Sequence, residues 1–215
     1  MPGMITATLI LLAYLLGACP FGLLVARVCG VNIRDVGSGN IGATNVFRMV
    51  GKRAGVCVFI LDALKGFVPV FFFPSFAHSP LEPTTIGLGC GVAAIVGHNF
   101  PIYLKFKGGK GVATSTGVLF GLAPIAAAIG IVSWIVLLLL TGYVSLASMG
   151  AAIAVPVAGW SLYQSSGLYL PCALTVLGAL IIARHHSNIR RLIDGSEHRF
   201  QIWRRGKRTQ TKAGT

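Results

Sequence analysis

Three short stretches of this chain carry residue types suited to holding and transferring phosphate-linked groups. The first reads Gly37-Ser-Gly-Asn-Ile-Gly-Ala-Thr-Asn45, with Arg48 just beyond it. Gly37 and Gly42 let the backbone turn its N–H groups toward an anion, while Ser38, Asn40, Thr44 and Asn45 offer neutral donors. Arg48 adds a planar fork that matches phosphate oxygens. The second stretch, Lys107-Gly108-Gly109-Lys110-Gly-Val-Ala-Thr114, places glycines and two cations at the start of an apolar helix, the pattern of an anion site. It is not a nucleotide-hydrolysing loop, because Gly111 stands where GxxxxGK[ST] needs a hydroxyl residue. The third is Arg184-His-His-Ser-Asn188, in which His185 and Asn188 share a helix face. A histidine there can serve as base, acid or hydrogen-bond donor.

Each stretch taken alone also has a plainer reading. Glycine runs connect membrane helices, loop lysines fix topology, and paired histidines solvate headgroups. Two glycine loops with cations on one face favour phosphate. Ser145 and Ser148 are further candidates for a polar pocket, although hydroxyls in membrane helices equally often bond their own backbone. Asp62 and Lys65, three apart in an apolar run, are expected to neutralise each other. His98-Asn99 closes a span near the second glycine loop and is expected to order it. His78 and His198 look incidental.

The elements that carry these residues follow from composition. The 215 residues are 54% apolar and only 11% charged, with a mean hydropathy of +0.78. Soluble domains carry about 25% charged residues, so this is not one. The net charge of +13 would suit a nucleic-acid binder or a basic tail, but neither is this apolar. The five cysteines form no CxxC pair and have no histidine at zinc-ligand spacing, so they read as small buried hydrophobes, with no disulfide framework and no metal site. The first apolar run lacks the basic flank of a signal peptide.

A helix needs about 20 apolar residues to cross a bilayer. Residues 5–26, 55–76, 85–103, 144–163 and 168–183 qualify, and 112–140 is long for one span and short for two. Short cytoplasmic loops keep Lys and Arg. Residues 27–53, 105–110 and 184–215 carry five, three and nine of them, while 1–4, 74–83 and 164–167 carry none. This predicts an outside N-terminus and a cytoplasmic C-terminus. Parity then requires 112–140 to break at Pro124 into two helices or a re-entrant hairpin. The expected fold is an all-α integral membrane protein of about seven helices, some short. A single polytopic domain is expected over 1–195, with a basic cytoplasmic tail over 196–215.

Together the three stretches resemble the bacterial acyl-phosphate:glycerol-3-phosphate acyltransferases. The likeness extends to Asp62-Ala-Leu-Lys-Gly66, Gly97-His-Asn-Phe-Pro101 and Tyr143-Val-Ser-Leu-Ala-Ser148, and covers residues 5 to about 195. It departs at the third motif, where the usual His-Arg-Glu-Asn-Ile is His185-His-Ser-Asn-Ile189. The resemblance implies an inner-membrane enzyme, active at the cytoplasmic face. Its reaction would move a fatty acyl group from acyl-phosphate to the 1-hydroxyl of sn-glycerol 3-phosphate, releasing lysophosphatidic acid and phosphate. It implies catalytic Ser38, Arg48, His185 and Asn188. Phosphate contacts are expected from Gly37, Asn40, Gly42, Thr44, Asn45, Lys107, Gly108, Gly109, Lys110 and Ser145. The expected partners are glycerol 3-phosphate, acyl-phosphate and membrane lipids, with no cofactor, no metal, no nucleic acid and no required protein partner. No carboxylate base lies in the three stretches, so the hydroxyl proton goes either to His185 or to a phosphate oxygen. A transporter of a small organophosphate is the competing reading; it requires polar groups spread across the bilayer and an inverted repeat.

Overall fold

The chain is described by a computed structural model over residues 2–200, and among these residues the regular structure is entirely helical. The N-terminal apolar run forms α1 (Pro2–Ala18) and α2 (Phe21–Val28), separated where Pro20 interrupts the helical N–H ladder. A loop carrying the first glycine motif leads to the short α3 (Ala43–Met49), and Gly51 turns the chain into α4 (Lys52–Phe72). The antiparallel α5 (Pro83–Asn99) returns, with proline at its first position, where the missing N–H costs nothing. The second glycine motif then starts α6 (Val112–Leu122), and α7 (Pro124–Thr141), α8 (Val144–Leu162) and α9 (Tyr169–Arg184) follow. At His185 the axis bends by 54° into α10 (His186–Ile193).

The break expected at Pro124 is present, with Ala123 between α6 and α7. At 11 residues α6 is only about 16 Å long, short of a bilayer crossing. Five helices are long and apolar enough to span, or six if α9 and α10 are one bent span, so helix length alone does not reproduce the expected seven. Large apolar side chains such as Leu11, Phe71, Val132, Val157 and Val176 stand exposed, as lipid-facing surface requires. Cys90 is buried, but Cys29, Cys57 and Cys172 are exposed, contrary to the expectation that all five are buried; all remain unpaired. Asp194 ends α10, and Glu197 to Phe200 fold back onto the bundle. The basic residues beyond Phe200 lie outside the described residues.

Apolar helices gain nothing by leaving lipid for one another, so their association depends on close packing. Small residues provide it here. Gly66 on α4 lies against the Thr114 carbonyl of α6, and Gly117 on α6 lies against the Ala63 carbonyl of α4; a Cβ at either would overlap backbone. These two contacts fix α6 to α4 and so set the height of Lys110–Gly111 relative to Asp62. The tight α7–α8 turn uses Gly142 at φ +77°, a left-handed conformation open to glycine.

Candidate active site

The first glycine loop is shaped by one buried side chain. Asn45 Nδ2 donates to the carbonyls of Ile33 (3.2 Å), Val36 (3.2 Å) and Asn40 (2.9 Å), while its Oδ1 accepts from Ser38 N at 3.0 Å. Asn40 Oδ1 in turn accepts from Gly42 N at 2.8 Å. Expected as a phosphate donor, Asn45 therefore has its amide hydrogens committed to the loop. Gly37 supplies the turn, at φ +59° against Asn45 and Met49, and is not part of the cavity wall. The residues of this motif that line the cavity are Ser38, Asn40, Gly42, Ala43, Thr44 and Asn45, followed by Arg48 from α3.

The second loop divides the same way. Gly109 N donates to the His98 carbonyl at 3.1 Å, and a Cβ on Gly108 or Gly109 would overlap the His98 backbone or ring. Arg184 holds the Gly109 carbonyl at 2.7 Å, and Arg34 holds the Lys107 carbonyl at 2.5 Å. Lys107 itself is exposed, and neither it nor Gly108 or Gly109 lines the cavity. These three residues shape the loop from close backbone packing, and the stretch reaches the cavity from Lys110 onward, with Gly111, Val112 and Ala113 also on its wall. His98-Asn99 does order this loop: the His98 carbonyl and ring meet Gly108 and Gly109, and the Asn99 amide lies under Gly111.

The third stretch brings His185 and Asn188 to the same cavity. His185 Nδ1 lies 2.8 Å from the Ile181 carbonyl, so Nδ1–H donates and Nε2 keeps its lone pair. The ring sits at the bend outside α9, where burial and then the Lys110 charge push its pKa down to about 4. Lys110 Nζ donates to Asn188 Oδ1. Burial, with Arg191, Arg48 and Arg184 nearby, lowers the Lys110 pKa to about 8 despite Glu197.

Glu197 was not among the expected site residues, yet it organises this end of the cavity. Its Oε1 accepts from Ser145 Oγ at 2.9 Å and from Asn188 Nδ2 at 2.8 Å, and its Oε2 accepts from Arg191 Nε at 2.7 Å. Burial would raise its pKa, but the hydrogen bonds from Arg191, Asn188 and Ser145 outweigh that and hold the carboxylate charged. Phe200 then covers Arg48, whose guanidinium lies 4.8 Å from the ring centre. The available signal was scarcity: Glu197 is one of five acidic residues in the chain. Arg191 was equally missed, since its charge reads as topology.

Behind this polar end the cavity, 670 Å³ in volume, continues between α7, α8 and α9 along an apolar wall that includes Trp134, Leu138, Ala152, Val155 and Leu177. Val56 and Phe59 of α4 and Ile135 of α7 line it and are also exposed, so one side opens laterally toward lipid. Ser148 serves this wall: it donates to the Val144 carbonyl at 2.8 Å and accepts from Trp134 Nε1 at 3.2 Å. Asp62 and His98 reach the cavity from below. Asp62 pairs with Lys65 at 2.7 Å, as their spacing predicts, and Lys65 also donates to the Cys19 carbonyl at 2.8 Å. No group of three or more His, Cys, Asp or Glu side chains placed to hold a metal ion occurs among the described residues.

A polar chamber lined by Arg48, Lys110 and Arg191, with an apolar arm open to lipid, suits a two-part substrate, one anionic and one acyl. The comparisons agree with that geometry. The family model for glycerol-3-phosphate acyltransferase matches residues 7–195. A glycerol-3-phosphate acyltransferase from Aquifex aeolicus (strain VF5) is 46% identical over 197 residues, covering 89% of this chain and 97% of the relative. One from Geotalea daltonii is 43% identical over 193 residues, covering 90% and 96%. Two crystal structures of PlsY (YgiH), an integral membrane glycerol 3-phosphate acyltransferase, share the fold. Its glycerol 3-phosphate form superposes with a TM-score of 0.84 at 42% identity, covering 91% of this chain and 95% of that one. Its lysophosphatidic acid form gives 0.79 at 41% identity, with the same coverage.

Proposed function

The chain belongs to the glycerol-3-phosphate acyltransferase family, and from that premise we propose acyl-phosphate as the donor that this integral membrane acyltransferase uses to acylate glycerol 3-phosphate at its 1-hydroxyl. The observation that supports this donor is the cation set. Arg48 and Lys110 line one chamber at the start of the apolar arm, while the third cation there, Arg191, is met by the Glu197 carboxylate. A donor whose leaving group is itself phosphate gives Arg48 and Lys110 a developing charge to stabilise where the acyl chain begins.

In this reading, the glycerol 3-phosphate oxygen attacks the acyl carbonyl carbon, the bond from that carbon to the phosphate oxygen breaks, and inorganic phosphate leaves. Lys110 and Arg48 stabilise the charge that grows on the leaving oxygens, with Ser38, Asn40 and Thr44 as neutral donors; the Gly42 N–H and the Ser145 hydroxyl are spent on Asn40 and Glu197. His185, neutral and with Nε2 free, accepts a hydrogen bond from the attacking hydroxyl and orients it. A ring whose pKa lies near 4 is a weak base, so the proton passes to a phosphate oxygen of the substrate. Asn188, held by Lys110 and Glu197, positions both partners. The acyl chain lies in the apolar arm and enters through the lateral opening.

The location follows from the same charges. The site lies at the cytoplasmic face of the bacterial inner membrane, with the N-terminus outside and α6, α7, α8 and α9 together returning the chain to the cytoplasm. In this topology α6 completes a count of seven as a short element beside full spans.

Purified protein in detergent or lipidic mesophase, given palmitoyl-phosphate and glycerol 3-phosphate, tests the donor. Phosphate release that requires both substrates and is lost in Ser38→Ala supports it; acyl transfer from a thioester donor alone refutes it. His185→Gln is expected to raise the glycerol 3-phosphate KM about tenfold while kcat falls less, because glutamine keeps an acceptor without keeping a base. A kcat loss of four orders of magnitude at unchanged KM would instead identify His185 as the base. The pH dependence has a definite sign. Lys110 binds phosphate as the ammonium, which is present below pH 8 and lost as pH rises through 8. The KM for glycerol 3-phosphate is therefore expected to climb between about pH 7.5 and 9, and Lys110→Arg, whose charge persists there, is expected to flatten that rise.

A further inference from the structure

The apolar arm of the cavity has an end as well as an opening. Its walls near that end are small residues, Ala127 and Gly130 on α7, Ala152 on α8 and Gly178 on α9, all lining the cavity. Its floor is Leu119, Val155 and Leu177, also on the cavity wall. Directly beyond lies a packed cluster in which Ala123, Ala126, Ala158 and Leu174 are almost fully buried and none touches the cavity. Gly130 faces the floor: a Cβ there would come within 2.7 Å of Val155 Cγ2. The arm is thus held open by missing side chains and closed by branched ones.

The distance from the polar end to this floor is fixed by one helix. Ser145, which donates to Glu197, and Val155 lie ten residues apart on α8, a rise of about 15 Å. We propose that Val155, with Leu119 and Leu177, sets the longest acyl chain the enzyme accepts, while Gly130 and Ala152 set the width that admits it. The assignment rests on the acyl donor lying in this arm, and the arm's continuity with the chamber of Ser145, His185 and Asn188 supports that occupant. A chain shorter than the arm leaves apolar wall uncovered; a longer one must displace Val155 or bend out through the lateral opening. A single methylene in an apolar pocket changes selectivity by about tenfold or more, so the profile should fall steeply beyond the floor.

The experiment compares kcat/KM for a series of saturated donors from octanoyl-phosphate to octadecanoyl-phosphate in wild type, Val155→Ala and Ala152→Leu. Val155→Ala is expected to move the fall to longer chains, raising the ratio of the longest to the shortest donor about tenfold. Ala152→Leu is expected to move it to shorter chains, with octanoyl transfer retained. An unchanged ratio in Val155→Ala overturns the proposal, because it places the chain in the bilayer rather than in the arm. A failure of the donor reading is distinguishable: wild type then transfers from no acyl-phosphate, and the same ratio is measured with whichever acyl donor it does use.

Discussion

Lys110→Ala is expected to lower kcat/KM by two to three orders of magnitude while leaving the protein folded. Lys110 lies on the loop that His98 and Arg184 clamp through backbone groups, so its side chain is not needed to shape that loop. Its ammonium donates to Asn188 inside a chamber that burial has already stripped of much water. A preorganised cation at such a place is worth far more against a developing phosphate charge than in solvent, and losing one donor of this kind costs about 10²–10³ in rate. Removing Lys110 also unties Asn188, whose other anchor is Glu197. Steady-state kinetics with both substrates varied, alongside a thermal melt, would check this; a loss under tenfold would remove Lys110 from the reacting site.

The second large effect concerns stability. Asp62→Ala is expected to destabilise the protein by about 3–5 kcal/mol, because it leaves the Lys65 ammonium buried without its counter-ion. Lys65 keeps the Cys19 carbonyl, where α1 gives way to α2, and the face of the Phe21 ring, neither of which carries a charge, and His98 loses the carboxylate lying 3.7 Å from its Nδ1. Replacing both members, Asp62→Leu with Lys65→Leu, is expected to recover most of that stability, since no isolated charge remains. Thermal melts in one detergent separate the two cases. Equal losses in single and double variants would mean that the pair acts through specific hydrogen bonding and not through charge neutralisation.

The three polar stretches were legible as one site because topology is written in charge. Basic loops alternating with uncharged ones place residues near 40, 110 and 185 on the same side before any contact is known. The helix break at Pro124 was equally legible, since proline cannot continue the ladder. What each residue does within a stretch was not. Gly37, Gly108 and Gly109 look like a phosphate cradle in sequence, and in the fold they answer to Asn45 and His98 instead. Asn45 has the chemistry of a ligand donor, but three carbonyls of its own loop take its hydrogens. Periodicity carries no information on such local competition for donors.

Sequence alone determined the class of molecule, the gathering of its polar stretches into one site and the kind of group it handles. Those properties depend on composition, on the order of charges and on residue types, all of which survive without coordinates. Only the tertiary structure decided that Glu197, twelve residues past His185, joins Ser145, Asn188 and Arg191, that Arg48 lies under Phe200, and that an apolar arm lined by Val155 leads off the same chamber. These depend on where α7, α8 and α9 cross and on a chain reversal after α10. Long-range packing of that kind is set by which small residues let backbones approach, and the sequence lists such residues without saying which of them meet.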